Sequence, residues 1–498
     1  MKKIIVVGGG TAGWITALKC RLQYPLYKID LIESEEIGIL GAGEGTTPHI
    51  ISFLDEINIP VSDLVKNCKA TIKCGIDFID WNGVGTKFFH AFPNDSSITI
   101  SEENQLFLSI LSNTDIDSYC LATKLSRNHK VPFSPINNKN SIFDNPIFSF
   151  ESYTGWSLHF DARLLADCLR KQGESRGINR IEGRVDVSKT KTDKQGYISS
   201  ITLEDGTEHH LDFLFDCTGF ARLFIGKYFK SEWVSYTDYL TLDTATPFFI
   251  EHDNDVAPKT DAIAMKYGWV WKIPVEGRYG CGYVFDSKFI NEEQAIQEVQ
   301  EYFGMKNMDF RKSFKFQAGT FKDILFKNCL AVGLSQGFIE PLEATSIWNS
   351  LNTLHKFLQN DGINNRSEYF IRNFNKDRYT SNNNIMEFIY FHYLTKRRDT
   401  EFWKQFETCK LELLNEKIDI LRNNLFSSLE SNMEWENYSW VAVGNPLGTF
   451  ENNCYEGRFI DYELNEMLQE RVAMEHNQNN IMKICETHKD FLEYLKKY

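Results

Sequence analysis

Three glycines near the start of the chain are the first residues whose spacing implies chemistry. Gly8-x-Gly10-x-x-Gly13 follows an apolar run, Lys3–Val7, and precedes a segment with helical spacing, so it forms a strand–turn–helix junction. Gly8 permits a tight turn, Gly10 lets backbone approach a pyrophosphate, and Gly13 lets helix and strand pack closely, with the helix N-terminus facing the phosphate charge. Glu33 ends the next apolar run twenty residues beyond Gly13, where a carboxylate reaches ribose hydroxyls. The ligand class is a dinucleotide, NAD or FAD. Two later segments favour FAD: Phe213–Phe220, with Asp216 and Gly219 at a strand end, and Cys329–Gly333, a second apolar strand closing on glycine. Far along the chain, Pro341 suits the first position of a helix, which puts Glu343 in its first turn, where an acidic side chain complements the helix dipole.

These residues need a scaffold. Lys3–Val7, Ala12–Leu22 and Tyr27–Ile32 read as a strand, a helix and a strand of one βαβ unit. Residues 128–150, rich in Pro and Asn, read as a long loop inside an insertion spanning about 100–150. From 181 to 217 the pattern is strand-rich, with a turn at Asp205-Gly206. After Pro341 helical spacing dominates, over 342–359, 367–394, 411–430 and much of 458–497. The expected architecture is an α/β flavoprotein-monooxygenase-like body with a Rossmann-type start over residues 1–350, and a mainly helical substrate-covering module over 351–498.

Composition narrows the function classes. A chain of 498 residues exceeds one compact core. A net charge of −14 argues against nucleic acid and anionic membranes as partners. Eleven cysteines without a C-x-x-C pair suggest reduced thiols and a cytoplasmic setting. No H-E-x-x-H occurs, so no metal site is expected. The apolar run after Met1-Lys2-Lys3 is too short for a signal peptide, and no segment is long enough to span a bilayer. Homo-oligomerisation stays open.

Three stretches make the sequence resemble the flavin-dependent halogenase family, typified by tryptophan halogenases. Gly8-Gly9-Gly10-Thr11-Ala12-Gly13-Trp14 is that family's form of the fingerprint. Trp269-Val-Trp271-Lys-Ile273-Pro274 fits its W-x-W-x-I-P signature, and Phe338–Ile347 resembles its glutamate-bearing helix start. Weaker similarity runs through Gly41–Glu44, Trp156–Asp161 and Gly280–Phe285. The resemblance implies FAD contacts at Gly8, Gly10, Thr11, Ala12, Gly13, Glu33, Gly43, Glu44, Val185, Asp216, Gly219 and Gly333. It makes Lys73, eight residues before Trp81, the catalytic lysine, with Lys69 the poorer match. Without the resemblance Lys73 reads as a surface lysine.

Glu343 becomes by the same resemblance the acid/base partner, and Thr345 and Ser346 the halide-binding backbone positions. Ser346 departs from the glycine usual in tryptophan halogenases. Trp269 and Trp271, facing one side of a strand, help keep substrate from the flavin, although core packing explains such a pair equally well. His90, Phe92 and Trp440 match the substrate wall, and a histidine among apolar neighbours also reads as core. The segment around Trp440, Asn437-Tyr438-Ser439-Trp440, departs from the tryptophan halogenases, which counts against free tryptophan and in favour of another electron-rich ring, an indole or phenol.

The activity implied is reduced FAD, O2 and halide yielding hypohalous acid, which reaches Lys73 and halogenates the ring. No second nucleotide fingerprint occurs, which suggests a separate flavin reductase. An FAD-dependent aromatic monooxygenase and a catalytically inactive FAD-binding protein are the alternatives.

Overall fold

The structure is a computed structural model that describes residues 1–36, 43–92, 120–135, 150–422, 435–450 and 461–497. Gly41, Ala42, most of the expected 100–150 insertion, the end of the expected 411–430 helix and the start of the 458–497 one lie outside these residues.

The N-terminal βαβ unit forms as its pattern dictates, as strand Lys3–Val7, helix Thr11–Gln23 and strand Lys28–Glu33. Ile4, Ile5 and Val6 are fully buried, as a strand covered on both faces requires. Around them runs a six-stranded sheet in the order Asn179–Glu182, Lys28–Glu33, Lys3–Val7, Phe213–Asp216, Cys329–Ala331, Leu325–Phe326. All neighbouring pairs are parallel except the last, which is antiparallel. Of the two later apolar strands, Phe213–Asp216 lies beside the first strand and Cys329–Ala331 lies next to it on the far side.

A second, mostly antiparallel sheet carries Trp269 and Trp271. Its order is Asp309–Phe310, Thr244–Glu251, Arg278–Phe285, Gly268–Val275, Thr260–Ala264, Gly75–Ile79, Lys87–Ala91, with Phe314–Lys315 joining Thr244–Glu251 off this path. A three-stranded antiparallel sheet, Gly43–Gly45, Ser157–Asp161, Thr71–Lys73, bears the lysine. It docks on the second sheet at Gly43, where a Cβ would sit 3.3 Å from Gly280 Cα and 3.4 Å from Ile273 Cγ2.

Helices Thr345–Gln359, Glu368–Tyr393, Glu412–Arg422, Asn437–Gly444, Asp461–Ile484 and His488–Lys496 make up the C-terminal region. They share one hydrophobic core with the body: Ile4, Ile72, Phe357, Phe388, Trp440 and Leu495 belong to a single cluster. His488 ties the last helix to the lysine strand, accepting from Ile72 N–H at 3.0 Å while its Nδ1 donates to Val256 O at 2.8 Å.

One sequence expectation is corrected. Pro341 does not open the long helix. Pro341–Glu343 form a separate 3-10 turn, Ala344 adopts a left-handed conformation (φ 56°), and the helix begins at Thr345. The Ala344 N–H closes the turn onto Pro341 O at 3.0 Å, and this reversal breaks the helical path. A left-handed alanine costs on the order of 1 kcal/mol. Glu343 thus sits on a tight elbow before the helix.

Candidate active site

At the cradle, the glycines divide by what they face. A Cβ at Gly8 (φ 114°) would lie 2.1 Å from Cys217 O, and one at Gly13 would lie 1.8 Å from Gly8 O. Both glycines serve the backbone's own packing. A Cβ at Gly10 would meet nothing within 4 Å, so the space beside the helix N-terminus is open to a ligand. Gly333 (φ 72°) brings a neighbouring strand end to Ala12, where a Cβ would lie 2.6 Å from Ala12 Cβ. These features fit a dinucleotide.

The cradle's acidic residues are more constrained. Glu33 pairs with Arg180, and its other oxygen lies against Gly9. Asp216 accepts from Thr218 N, Thr218 Oγ1, Phe224 N and Ile225 N at 2.6–3.2 Å, so its carboxylate shapes the loop that presents Gly219. Half-buried Glu44 is raised to about 7 by desolvation and by Asp161. Val185 packs, partly buried, against the cluster holding Ile5, Val7 and Ile32.

Lys73 is fully buried. Its Nζ donates to Thr46 O at 3.0 Å and lies 5.0 Å from the centre of the Phe92 ring. Burial pushes the ammonium down to about 7, against the attraction of Glu343. Beside it stands His159, whose tautomer the hydrogen bonds fix. Thr71 Oγ1 donates to Pro274 O at 2.7 Å, so it accepts from His159 Nδ1–H at 3.2 Å, and Nε2 accepts from Thr260 Oγ1 at 2.9 Å. Burial, then Lys73, then His488 hold this ring well below the usual histidine range, so it is a neutral wall of the lysine chamber.

Glu343 is equally buried and receives two histidines on one oxygen. His90 Nδ1 reaches Oε1 at 2.9 Å and His392 Nε2 reaches it at 2.8 Å. His392 Nδ1 donates to Phe388 O at 2.7 Å, so a proton lies between its Nε2 and the carboxyl. His90 Nε2 accepts from Ser439 Oγ at 3.0 Å. Burial works against the charge of Glu343, but the two histidines outweigh it and hold the carboxyl at about 2.

An aromatic wall adjoins this network. Phe388 stacks on Trp435 at 4.2 Å and meets Trp440 edge-on at 5.0 Å. The indole N–H groups of Trp435 and Trp440 have no hydrogen-bond partner among the described residues. Trp269 and Trp271 share a face, their ring centres 6.3 Å apart, and Trp269 Nε1 donates to Glu340 Oε2 at 3.3 Å. Thr345 and Ser346 open a fifteen-residue helix that no side chain caps, and they line a cleft with Gly333, Phe338 and Asn349.

The structure therefore gathers Lys73, His90, Phe92, Glu343, Trp440 and the helix start into neighbouring parts of one interior. Sequence reasoning missed His392, His159, Ser439 and Glu340. Glu340 lies inside the Phe338–Ile347 stretch and was open to notice, whereas His392 sits in the last turn of a 26-residue helix, where a basic residue reads simply as complementing the helix dipole. Among the described residues no cluster of three or more His, Cys, Asp or Glu is placed to hold a metal, and no helix is long and apolar enough to cross a membrane.

Comparison with known proteins identifies the family. The tryptophan halogenase family profile matches residues 3–455. Tryptophan 7-halogenase RebH of Lentzea aerocolonigenes is 31% identical over 435 residues, covering 84% of this chain and 82% of RebH. Xcc4156, a flavin-dependent halogenase from Xanthomonas campestris, superposes with a TM-score of 0.87 at 27% identity, covering 99% of this chain and 98% of that one. BrvH, a flavin-dependent halogenase from Brevundimonas sp. BAL3, gives 0.84 at 27% identity, covering 99% of each chain. With a dinucleotide cradle and a buried lysine–glutamate pair in one interior, the chain belongs to the tryptophan halogenase family and is an oxidoreductase of the flavin-dependent halogenase type.

Proposed function

We propose that the chain halogenates an electron-rich arene, an indole or a phenol, with Lys73 delivering the halogen and Glu343 supplying the balancing charge. The observation that carries this reading is the mutual burial of Lys73 and Glu343, brought from positions 270 residues apart, with the lysine held near 7 and the carboxyl near 2. Bound FAD, reduced by a separate reductase, supplies with O2 the two-electron oxidation of bromide or chloride, with iodide also within reach, to hypohalous acid. The cradle around Gly10, Thr11 and Ala12 would hold its pyrophosphate, with Gly219, whose Cβ would meet nothing within 4 Å, letting backbone approach and Gly43 and Gly333 packing the backbone around it. Glu33, Glu44, Val185 and Asp216 border or shape that site. The halide waits at the Thr345 and Ser346 amides, where the uncapped helix start favours an anion.

Hypohalous acid then meets Lys73. As a neutral amine the lysine can exchange an N–H for an N–halogen bond with release of water, or as an ammonium it can hold the acid by hydrogen bonding. A carboxyl held at about 2 is a weak base but a firm negative charge, so Glu343 stabilises the cationic ring, and the proton the ring loses goes to the nitrogen or hydroxide that gave up the halogen. Confinement matters because free hypohalous acid attacks most side chains. His90, Phe92 and Trp440 form the substrate side. The unpartnered indole N–H groups of Trp435 and Trp440 suit an arene that carries an acceptor atom.

The test supplies purified protein with FAD, a reductase, O2 and halide, offers phenols and indoles, and reads products by mass spectrometry. Halogenated product that vanishes when halide is omitted supports this function. Hydroxylated product would assign a monooxygenase, and unaltered arene across a broad panel would favour an inactive flavin binder.

A further inference from the structure

Two carboxyls share the elbow that precedes the long helix, and their surroundings differ in kind. Glu343 receives two histidines on one oxygen. Glu340, with no exposed surface, receives the Tyr393 hydroxyl and the Trp269 indole N–H on Oε2, while Oε1 has no partner among the described residues. Neither Tyr393 nor Trp269 is a cation. A carboxylate buried this way would leave one charged oxygen unsatisfied, which buried charges rarely tolerate. A carboxylic acid carrying its proton on Oε1 keeps Oε2 as the acceptor of both donors, and an unpartnered neutral hydroxyl costs less than an unpartnered charged oxygen.

The contacts also have a mechanical logic. Adjacent residues of one helix grip the two glutamates, His392 holding Glu343 and Tyr393 holding Glu340. Trp269 then ties the same elbow to the tryptophan strand. We propose that Glu340 acts as an uncharged carboxylic acid, a positioning residue that clamps the Glu343 elbow between Tyr393 and Trp269 and leaves Glu343 as the sole counter-charge to Lys73.

This inference rests on the halogenase reading of Lys73. Burial pushes the Glu340 carboxyl up to about 7, against the pull of the Tyr393 and Trp269 hydrogen bonds, while Glu343 is held near 2. Neighbouring groups driven apart in this way divide the acid and charge roles between them. Should Glu340 ionise, a charged oxygen without a partner would be buried at the elbow, and the clamp that positions Glu343 would loosen.

Glu340→Gln tests it, because an amide is uncharged at every pH and can still accept from Tyr393 and Trp269. Infrared difference spectra at pH 6 should show a protonated-carboxyl carbonyl band in the native protein that the variant loses; this readout needs no turnover. In halogenation, the native pH profile should fall on the alkaline side of neutrality, and Glu340→Gln should lose that fall. Tyr393→Phe, which removes a donor favouring the charged form, should move the fall to higher pH and serves if the glutamine variant folds poorly. A carboxyl band unchanged by Glu340→Gln, or an alkaline fall unchanged in Glu340→Gln or Tyr393→Phe, overturns the proposal. Loss of the band in a protein that halogenates nothing would uphold the neutral acid and count against the halogenase reading alone.

Discussion

Lys73 Nζ donates to the carbonyl oxygen of Thr46 at 3.0 Å, and this bond sets the direction of a lysine with no exposed surface. One N–H is committed to backbone, and the amine lies 5.0 Å from the centre of the Phe92 ring. Lys73→Ala should lower halogenation by roughly 10²-fold or more while flavin loading stays normal. Lys69, exposed and in a left-handed conformation at the end of a helix, is the matched control. Lys69→Ala should change turnover little. Substantial product from the Lys73 variant would remove the lysine from the mechanism.

The same lysine predicts a pH dependence of stability. Its folded pKa of about 7 lies below the ordinary 10.5, so between these values the unfolded chain binds a proton that the native chain lacks. Stability against unfolding therefore gains from Lys73 as pH rises through that window. Denaturant titrations of native protein and Lys73→Met from pH 7 to 9.5 should not run parallel: the native curve gains relative to the variant as pH rises. Parallel curves would mean that the lysine titrates like an exposed one.

His392 should matter for both fold and chemistry. His392→Phe keeps the aromatic volume between Phe78 and Phe388 but removes the 2.8 Å partner of Glu343. Losing one partner of a buried charge costs about 3 kcal/mol or more. The variant should melt several degrees lower and lose turnover more than substrate affinity. A thermal midpoint within a degree of native would show that His90 alone satisfies the carboxyl.

Gly10→Val should abolish flavin binding without unfolding the chain, because its Cβ meets no protein atom within 4 Å. Gly13→Val should fail to fold, since its Cβ would lie 1.8 Å from Gly8 O. Flavin absorbance and circular dichroism on the two variants separate ligand space from backbone space. Normal loading of Gly10→Val would place the pyrophosphate elsewhere.

How much of this was legible follows from how local each signal is. The cradle was readable because strand, turn and helix lie within thirty-three consecutive residues and each glycine has a steric reason. Lys73 carries no such signal: its depressed pKa comes from strands at Gly43–Gly45 and Ser157–Asp161 closing over it, and only family resemblance pointed to it. Pro341 does open a helical turn with Glu343 in it, but that turn was read as continuous with the long helix, because a left-handed alanine has no signature in sequence. His392 was out of reach, since its partner lies 49 residues away and only tertiary packing brings the two together.

Halide choice is the last outcome to fix. The helix that opens at Thr345 has no side-chain cap, so its first amides are free for an anion, and Ser346 is exposed at the lip of the adjoining cleft. Amides select charge more than radius, and a larger halide sheds its hydration at lower cost. Bromide is also easier to oxidise than chloride, so bromide should support turnover at least as well as chloride. Competing the two at equal concentration, with an activated phenol or indole as acceptor, reads the preference directly as brominated against chlorinated product. Ser346→Gly removes the side-chain hydroxyl from that lip. If the hydroxyl merely lines the lip, the product ratio should not move, whereas a shift in the ratio would make Ser346 a selecting group. Mostly chlorinated product from the native protein would mean that the walls around these amides select for small size, against the expectation from hydration and redox chemistry.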